Sequence, residues 1–415
     1  MITLENAKKI ILERVNKLNC VRLNILSSMN KIIDEDIKSK YNLPHFDNSA
    51  MDGYAVRSID TIGATREKPV KLKIIGIITA GNDSNIKIIK KTAVVITTGA
   101  KIPEGADAVI IKELTKEITE NEEKFVYIFK NVKKYENIRK RGEDVKKGEI
   151  VIRKGSLIRP QEIALLSAIN ITKIKVIKQP RVAILTTGSE LVPPGKKLSN
   201  AKIFDSNLYT MVSFVQKYGG NTKLYGPIKD DKRYLKKFLQ KVIDDTFDLI
   251  IISGGVSIGD YDFVKEILNE LGVKKLFWKV LIKPGKPFYT GIYKDKFIFG
   301  LPGNPAAVLV LLEMFIRNVL LKMQGKEIED RIITAYADEN IHVSKGRVNL
   351  IRAKVCLKNM KYRVKPSGGQ SSGMIKSFVN ANSLIITPPN IDLIKKGEKV
   401  TVEYLGDYFI NGNKL

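Results

Sequence analysis

Cysteine is almost missing from this chain, with Cys20 and Cys356 the two among 415 residues. So few thiols exclude a disulfide framework and a thiolate zinc site. Histidine is equally scarce, at His45 and His342. Any metal must then be held mainly by oxygen atoms, which points to Mg²⁺ rather than Zn²⁺. No apolar run is long enough to span a membrane. The opening Met1-Ile-Thr-Leu-Glu-Asn6 lacks the basic-then-apolar layout of a signal peptide. A cytoplasmic location is therefore expected, with no membrane partner. Acids are outnumbered, 44 Asp and Glu against 71 Lys and Arg, for a net charge of +27. The excess has three readings. The first is a Lys- and Ile-rich composition of a heat-adapted or AT-biased organism, with most charges solvated. The second is a positive field that draws in anionic small substrates. The third is nucleic-acid binding. The lysines are spread along the whole chain, not gathered in one tail or helix, which ranks the readings in that order.

What is present suffices for a folded, multidomain protein. The hydrophobic share is 44%, and the length suggests two to four domains. Leu4, Ala7, Ile11, Val15 and Leu18 recur at helical steps, and Thr3 can cap, so a helix is expected over 3–18. Residues 30–45 read as a connection. Strands are expected at 71–78, 92–97, 108–111 and 124–130, separated by turn residues, which makes 51–135 a β-rich module. Residues 136–178 carry a helix after Pro160 and are expected to join residues 1–50, leaving the β-module as an insertion. From 179 to 328 strands and helices alternate, which implies a doubly wound α/β sheet. The long apolar helix 305–323 closes it. Residues 329–415 return to short strands and read as a small C-terminal β-domain.

In a doubly wound domain ligands bind at the carboxyl ends of the strands. Three loops fall there: Thr186-Thr-Gly-Ser-Glu-Leu191, Ser253-Gly-Gly-Val-Ser-Ile-Gly-Asp-Tyr-Asp262, and Leu301-Pro-Gly-Asn-Pro305. Gly-rich turns at helix starts present backbone N–H groups to a phosphate or another oxyanion. Glu190, Asp260 and Asp262 add carboxylates, although each could equally cap a helix. Lys283-Pro-Gly-Lys-Pro287 is either a basic surface turn or a stiff anion clamp. It follows a strand expected to run through Lys279. Together these parts suit a phosphorylated, multiply charged substrate and an oxygen-bound divalent cation.

Asn48-Ser-Ala-Met-Asp-Gly-Tyr-Ala-Val56, Thr98–Asp107, Arg141-Gly-Glu-Asp144, Gly188-Ser-Glu-Leu191, Ser253–Asp262, Lys283–Pro287 and Pro302-Gly-Asn-Pro305 occur in one order. In that order the chain resembles the molybdopterin molybdenumtransferase family, whose relatives include the E domain of gephyrin. The resemblance runs from the first helix to the last β-domain. It implies an elongated four-domain subunit in a homodimer, with sites in a cleft between subunits. It implies Mg²⁺-dependent insertion of molybdenum from molybdate into adenylylated molybdopterin, with hydrolysis of the adenylate to AMP. Transient contact with the adenylyltransferase that supplies the substrate is also implied. Matched motif by motif, Asp52, Thr98, Asp144, Glu190 and Asp262 are the implied catalytic residues, and Glu190 and Asp262 the metal ligands. Substrate contacts are implied for Asp230, Ser253, Gly254, Gly255, Lys279, Lys283, Lys286, Pro302 and Asn304. In the last domain Arg352 and Ser372 match positions near the oxyanion, with Ser371 an alternative to Ser372. Asp231 is an alternative to Asp230. Many relatives carry serine where this chain has Ala307. Tungstate, a dianion of nearly the same size, would fit the same residues.

Two enzyme families share the α/β domain, the molybdopterin adenylyltransferases and the competence-damage-inducible nucleotide hydrolases. Both lack the Asn48–Val56 motif and the flanking β-modules. A scaffold without activity is disfavoured by retention of Asp52, Glu190, Asp262, Lys283 and Lys286.

Overall fold

The computed structural model describes residues 1–256 and 263–406. The chain divides into two compact units. One holds residues 1–21, 30–32 and 176 onward, the other 22–29 and 33–175. Among the described residues no helix is long and apolar enough to cross a membrane.

The smaller unit is built on a six-stranded sheet in the order Ala108–Ile111, Gly53–Val56, Thr92–Ile96, Val70–Ile78, Glu123–Ile128, Thr115–Glu120. Side chains alternate across its pleat. Tyr54 and Val56 enter one core with Leu72 and Ile110, and Ala55 enters another with Val94 and Ile96. Gly53 lies where the chain passes closest to a neighbour, for a Cβ there would sit 1.9 Å from the Ile110 carbonyl oxygen. The Thr115–Glu120 strand was not expected, because it alternates polar residues at a solvated edge. Two short pairings link the segment before this sheet to the one after it. Asn48–Ser49 joins Ile138–Arg139, and Ile37–Lys38 joins Ile150–Ile152.

The first helix does not join them. It spans Leu4–Leu12 and packs in the larger unit. Leu4, Ala7 and Ile11 enter the core that holds Val319 and Met323. The Lys322 ammonium donates to the Leu12 carbonyl at 2.6 Å, and the Leu18 N–H to that of Met323 at 2.8 Å. The expected grouping of 1–50 with 136–178 therefore fails for this helix. Its apolar stripe is complementary to the closing helix, a match no local pattern reveals.

The α/β sheet runs Asn221–Ile228, Arg181–Thr187, Leu249–Ser253, Lys296–Leu301, Tyr289–Tyr293, Lys274–Trp278. The first four strands are parallel. Tyr289–Tyr293 runs antiparallel to the neighbours on both its sides. Both faces are covered. Val182, Ile184, Leu249 and Ile251 meet the Ser206–Lys217 and Pro305–Leu311 helices. Ala183, Leu185, Ile250 and Ile252 meet Lys232–Asp244 and Val264–Glu270. Burial on both faces explains why these strands read as unbroken apolar runs. The closing helix is interrupted by a π turn at Leu312–Ile316, then resumes over Arg317–Met323. Its Glu313 is partly buried 3.8 Å from Arg331, and desolvation there holds the carboxyl above its ordinary range.

The last domain closes on itself. Val348–Lys358 pairs with both Lys361–Pro366 and Ser383–Thr387, and Ile332–Ala337 and Lys399–Tyr404 complete the ring. Ile282–Lys283 adds to this sheet in parallel, opposite Val348 and Asn349. That short pairing ties the Lys283–Pro287 loop to the barrel and positions the site.

Candidate functional site

The three glycine-bearing loops of the α/β domain come together at one end of the sheet. Thr186 is opposite Ser253, and Ser253 opposite Leu301, so the loops leave their parallel strands in register. The Gly254 N–H donates to the Leu301 carbonyl at 3.0 Å, and the Ser253 hydroxyl to that of Pro302 at 3.2 Å. Buried Asn207 donates through Nδ2 to Ser253 Oγ at 3.0 Å and to the Gly303 carbonyl at 2.7 Å. Gly254 has φ +98°, and a Cβ there would lie 2.3 Å from the Thr187 carbonyl oxygen. Ser253, Gly254, Gly255 and Pro302 are thus locked by backbone contacts. The Thr187 hydroxyl is buried with no partner among the described residues. Asp230 accepts the Ser189 N–H at 2.9 Å, which joins it to the Glu190 loop. Asp231 instead caps the next helix through the Tyr234 N–H at 2.7 Å. Glu190 is exposed. Its carboxylate folds back over Gly188, whose Cβ would meet it at 2.8 Å. Asp260 and Asp262 lie outside the described residues.

Lys279 was expected on a strand. It has φ +75°, and the strand ends at Trp278. The left-handed residue turns the chain out of the sheet toward the barrel. Its ammonium and that of Lys265 lie 3.9 and 3.6 Å from the centroid of the Trp278 ring, within cation–π range.

A cavity of about 660 Å³ opens between the Lys283–Pro287 loop, the Pro302–Asn304 turn and the barrel. Lys283, Lys286, His342 and Arg347 line it, and among the described residues no carboxylate does. Pro302, Asn304, Ala307 and Ser372 complete the walls. An enclosure with several cations favours a compact polyvalent anion. The Lys283 ammonium donates to Ser344 Oγ at 2.7 Å. Asn349, almost fully buried, holds the turn that carries Arg347. Its Nδ2 donates to the Ser344 and Arg347 carbonyls at 3.0 and 3.2 Å.

Arg352 is placed differently from Lys283 and Lys286. It is fully buried and does not line the cavity. Burial lowers its affinity for the proton. Its Nε donates to Ser377 Oγ at 2.8 Å, and an Nη to the Gly369 and Ser371 carbonyls at 2.8 and 3.1 Å. Gln370 bonds the Arg352 backbone at both N–H and carbonyl. Arg352 is therefore the internal post of the 368–374 loop, and Arg347 is the arginine that faces the cavity. Ser372 accepts the Ala306 N–H at its carbonyl, 3.0 Å away, and so joins this loop to the helix that starts at Pro305. Arg347, His342, Asn349 and Thr187 were missed in the sequence. A basic Ser344-Lys-Gly-Arg347 turn before a strand was the one signal available for Arg347.

In the smaller unit the structure brings together residues distant in sequence. Asp52 Oδ1 accepts the Thr98 N–H at 2.6 Å and its hydroxyl at 2.9 Å. The backbone bond first, then the hydroxyl, holds the exposed Asp52 carboxyl below its ordinary range. Asp144 is exposed and donates its N–H to the Leu43 carbonyl at 3.0 Å.

Comparison with known proteins agrees along the full length. Residues 2–170 match the MoeA N-terminal region (domain I and II). Residues 183–322 match a family described as "Probable molybdopterin binding domain", and 334–405 match the MoeA C-terminal region (domain IV). A molybdopterin molybdenumtransferase of Haemophilus influenzae is 36% identical over 97% of this chain and 98% of its own. One from Staphylococcus aureus is 35% identical over 97% and 95%. The crystal structure of the molybdopterin biosynthesis MoeA protein of Pyrococcus horikoshii superposes with a TM-score of 0.80 at 31% identity, covering 97% of this chain and 99% of that one. With relatives more than one third identical over nearly their whole length, the chain belongs to the MoeA family of molybdopterin molybdenumtransferases.

Proposed function

We propose that this protein inserts molybdenum, or tungsten, from its oxyanion into adenylylated molybdopterin and hydrolyses the adenylate, releasing AMP. The observation that carries the reading is the cationic cavity lined by Lys283, Lys286, Arg347 and His342. A tetrahedral dianion needs several fixed donors, and ionised donors give the strongest hydrogen bonds. The cavity adjoins the Pro302–Asn304 turn, whose neighbours Ser253, Gly254 and Gly255 stand at the strand ends. The long substrate would lie over those ends, held through Asp230, Lys279 and the backbone N–H groups of the loops.

Mg²⁺ is ordinarily held by one or two carboxylates together with substrate phosphates. Among the described residues no group of three metal-ligating side chains occurs. The exposed Glu190 carboxylate would be one such ligand, and Asp262, outside the described residues, the other. When bound, the ion would neutralise charge on the phosphate oxygens. Asp262 would also serve the water that attacks the adenylate. Asp52, Thr98 and Asp144 would act as catalytic residues in a cleft between the subunits of a homodimer. The domains proposed are 1–50 with 136–178, 51–135, 179–328 and 329–415, the first helix of the chain being packed on the third. A cytoplasmic setting and transient delivery by the adenylyltransferase follow from the same reading.

The test is AMP release from adenylylated molybdopterin with Mg²⁺, with molybdate or tungstate present or omitted. Oxyanion-dependent release in the wild type, lost in Asp262→Asn, is expected. A folded protein that releases no AMP with either oxyanion would remove the enzymatic reading and favour a scaffold.

A further inference from the structure

Asn207 touches two of the turns from which the site is built, yet it is not part of the cavity lining. Its placement begins with Asp205. This buried carboxylate accepts the Leu208 N–H at 3.0 Å and so caps the Ser206–Lys217 helix. It also accepts the Thr186 hydroxyl, and the Asp205 N–H donates to the Val192 carbonyl at 2.9 Å. The start of the helix is thereby fixed to the end of the Arg181–Thr187 strand. Asn207 stands in the first turn, two residues after the cap, and is buried.

Its Nδ2 donates to Ser253 Oγ at 3.0 Å and to the Gly303 carbonyl at 2.7 Å. The Ser253 hydroxyl donates in turn to the Pro302 carbonyl at 3.2 Å. Two consecutive carbonyls of the 302–304 turn are therefore held from the Asn207 side, one directly and one through Ser253. In a planar trans peptide the carbonyl and the following N–H point in opposite directions. The Gly303 and Asn304 N–H groups consequently face away from Asn207. Packing around Gly303 does little to hold the turn, since a Cβ there would meet no atom within 4 Å. Pro302 and Asn304, on either side of it, line the cationic cavity. The orientation of that wall is thus set by an amide behind it. Asn207 Oδ1 is buried with no partner among the described residues. The side chain therefore acts through its donor, which an aspartate of the same shape lacks when ionised.

We propose that Asn207 is a positioning residue for the transfer reaction: it couples the Ser253 loop to the Pro302–Asn304 turn, so that this wall of the cavity is set before the oxyanion arrives. The proposal rests on the reading of this cavity as the oxyanion site. A preset wall binds its ligand without the cost of ordering the turn. Releasing the turn therefore weakens oxyanion capture, although Asn207 does not touch the anion.

The experiment is calorimetric titration of the full chain with molybdate, for the wild type, Asn207→Asp and Asn207→Ser, with melting temperatures measured alongside. An ionised aspartate can accept the Ser253 hydroxyl but cannot donate to Gly303, and an acid in the first turn favours the helix. Both variants are expected to bind molybdate about threefold to tenfold more weakly while remaining folded. In AMP release, half-saturating molybdate should rise by the same factor, and kcat should fall by less. Ser253→Ala combined with Asn207→Ser should lose less affinity than the two losses together, because both act on one turn. Wild-type affinity in the folded variants overturns the inference and leaves the oxyanion site standing. So do strictly additive losses, or a fall in kcat with half-saturating molybdate unmoved. If Asn207→Asp does not fold, Asn207→Ser decides, and unfolding of both assigns Asn207 to stability and overturns the inference. A wild type that neither binds molybdate nor releases AMP removes the reading of the cavity, and the inference with it.

Discussion

Ala307 is buried at 2% exposure and lines the proposed oxyanion cavity with no polar side-chain atom. Ala307→Ser would place a hydroxyl in that wall, and a donor to an anion contributes more than one to a neutral group. Molybdate affinity is expected to rise about threefold to tenfold, read by titration. An unchanged or weaker affinity would mean that the anion sits away from the Pro305–Leu311 helix. Asp52 makes a prediction in pH. Its folded proton affinity is lowered, first by the Thr98 N–H and then by the Thr98 hydroxyl. The Asp52–Thr98 contact is therefore complete at pH values above the ordinary carboxylate range and is lost as pH falls through the depressed value. Carbon-detected NMR should find the Asp52 midpoint below about 3.9, and Thr98→Val should raise it. A midpoint unmoved by that substitution would remove the hydroxyl from the account. Neither residue advertised the other in sequence, since only the folded sheet brings them together.

At the scale of elements, the site is a set of turns clamped by backbone contacts. Gly254 shows the constraint: its φ is +98°, and a Cβ would meet the Thr187 carbonyl oxygen at 2.3 Å. Gly254→Ala should cost about 1–3 kcal/mol and lower the melting temperature, because both the backbone region and the contact are forbidden to a side chain. A melting temperature equal to wild type would show that the strand-end loops can relax. The elements most legible beforehand were those with strong local periodicity. Lys232–Asp244 and Lys399–Tyr404 follow the pattern of their residues. The π turn at Leu312–Ile316 was not legible, because Leu312-Glu-Met-Phe-Ile316 has no helix-breaking residue. Tyr289–Tyr293 was also unseen. Its turn, Lys294-Asp295, is charged like much of the surface, and its antiparallel pairing is set by strands on both sides.

At the scale of the whole molecule, the proposed reading predicts a dimer. Light scattering should give about twice the 46.6 kDa of one chain. A monomer that still releases AMP would remove the shared cleft from the mechanism. The net charge of +27 adds a second expectation. If the positive field serves anionic substrates, kcat/KM should fall with rising salt, since screening shortens the reach of that field. Random duplex DNA should bind weakly. Tight duplex binding with a steep salt dependence would restore the nucleic-acid reading.

The sequence by itself determined the class of chemistry. Scarce thiols and imidazoles pointed any metal toward oxygen donors, and the ordered Gly-, Pro-, Asp- and Lys-bearing loops carried the family resemblance, because those residue types constrain the backbone and charge locally. Only the tertiary structure decided which cations share one cavity. Arg347 ends the turn before one long strand, and Arg352 lies within that strand. Arg352 is buried and holds a loop, whereas Arg347 lines the cavity. Strand alternation alone could not assign them, since closure of the barrel buries one site and leaves the other open. The same holds for the first helix, whose stripe is plain in sequence but whose partner is chosen by packing complementarity across more than three hundred residues.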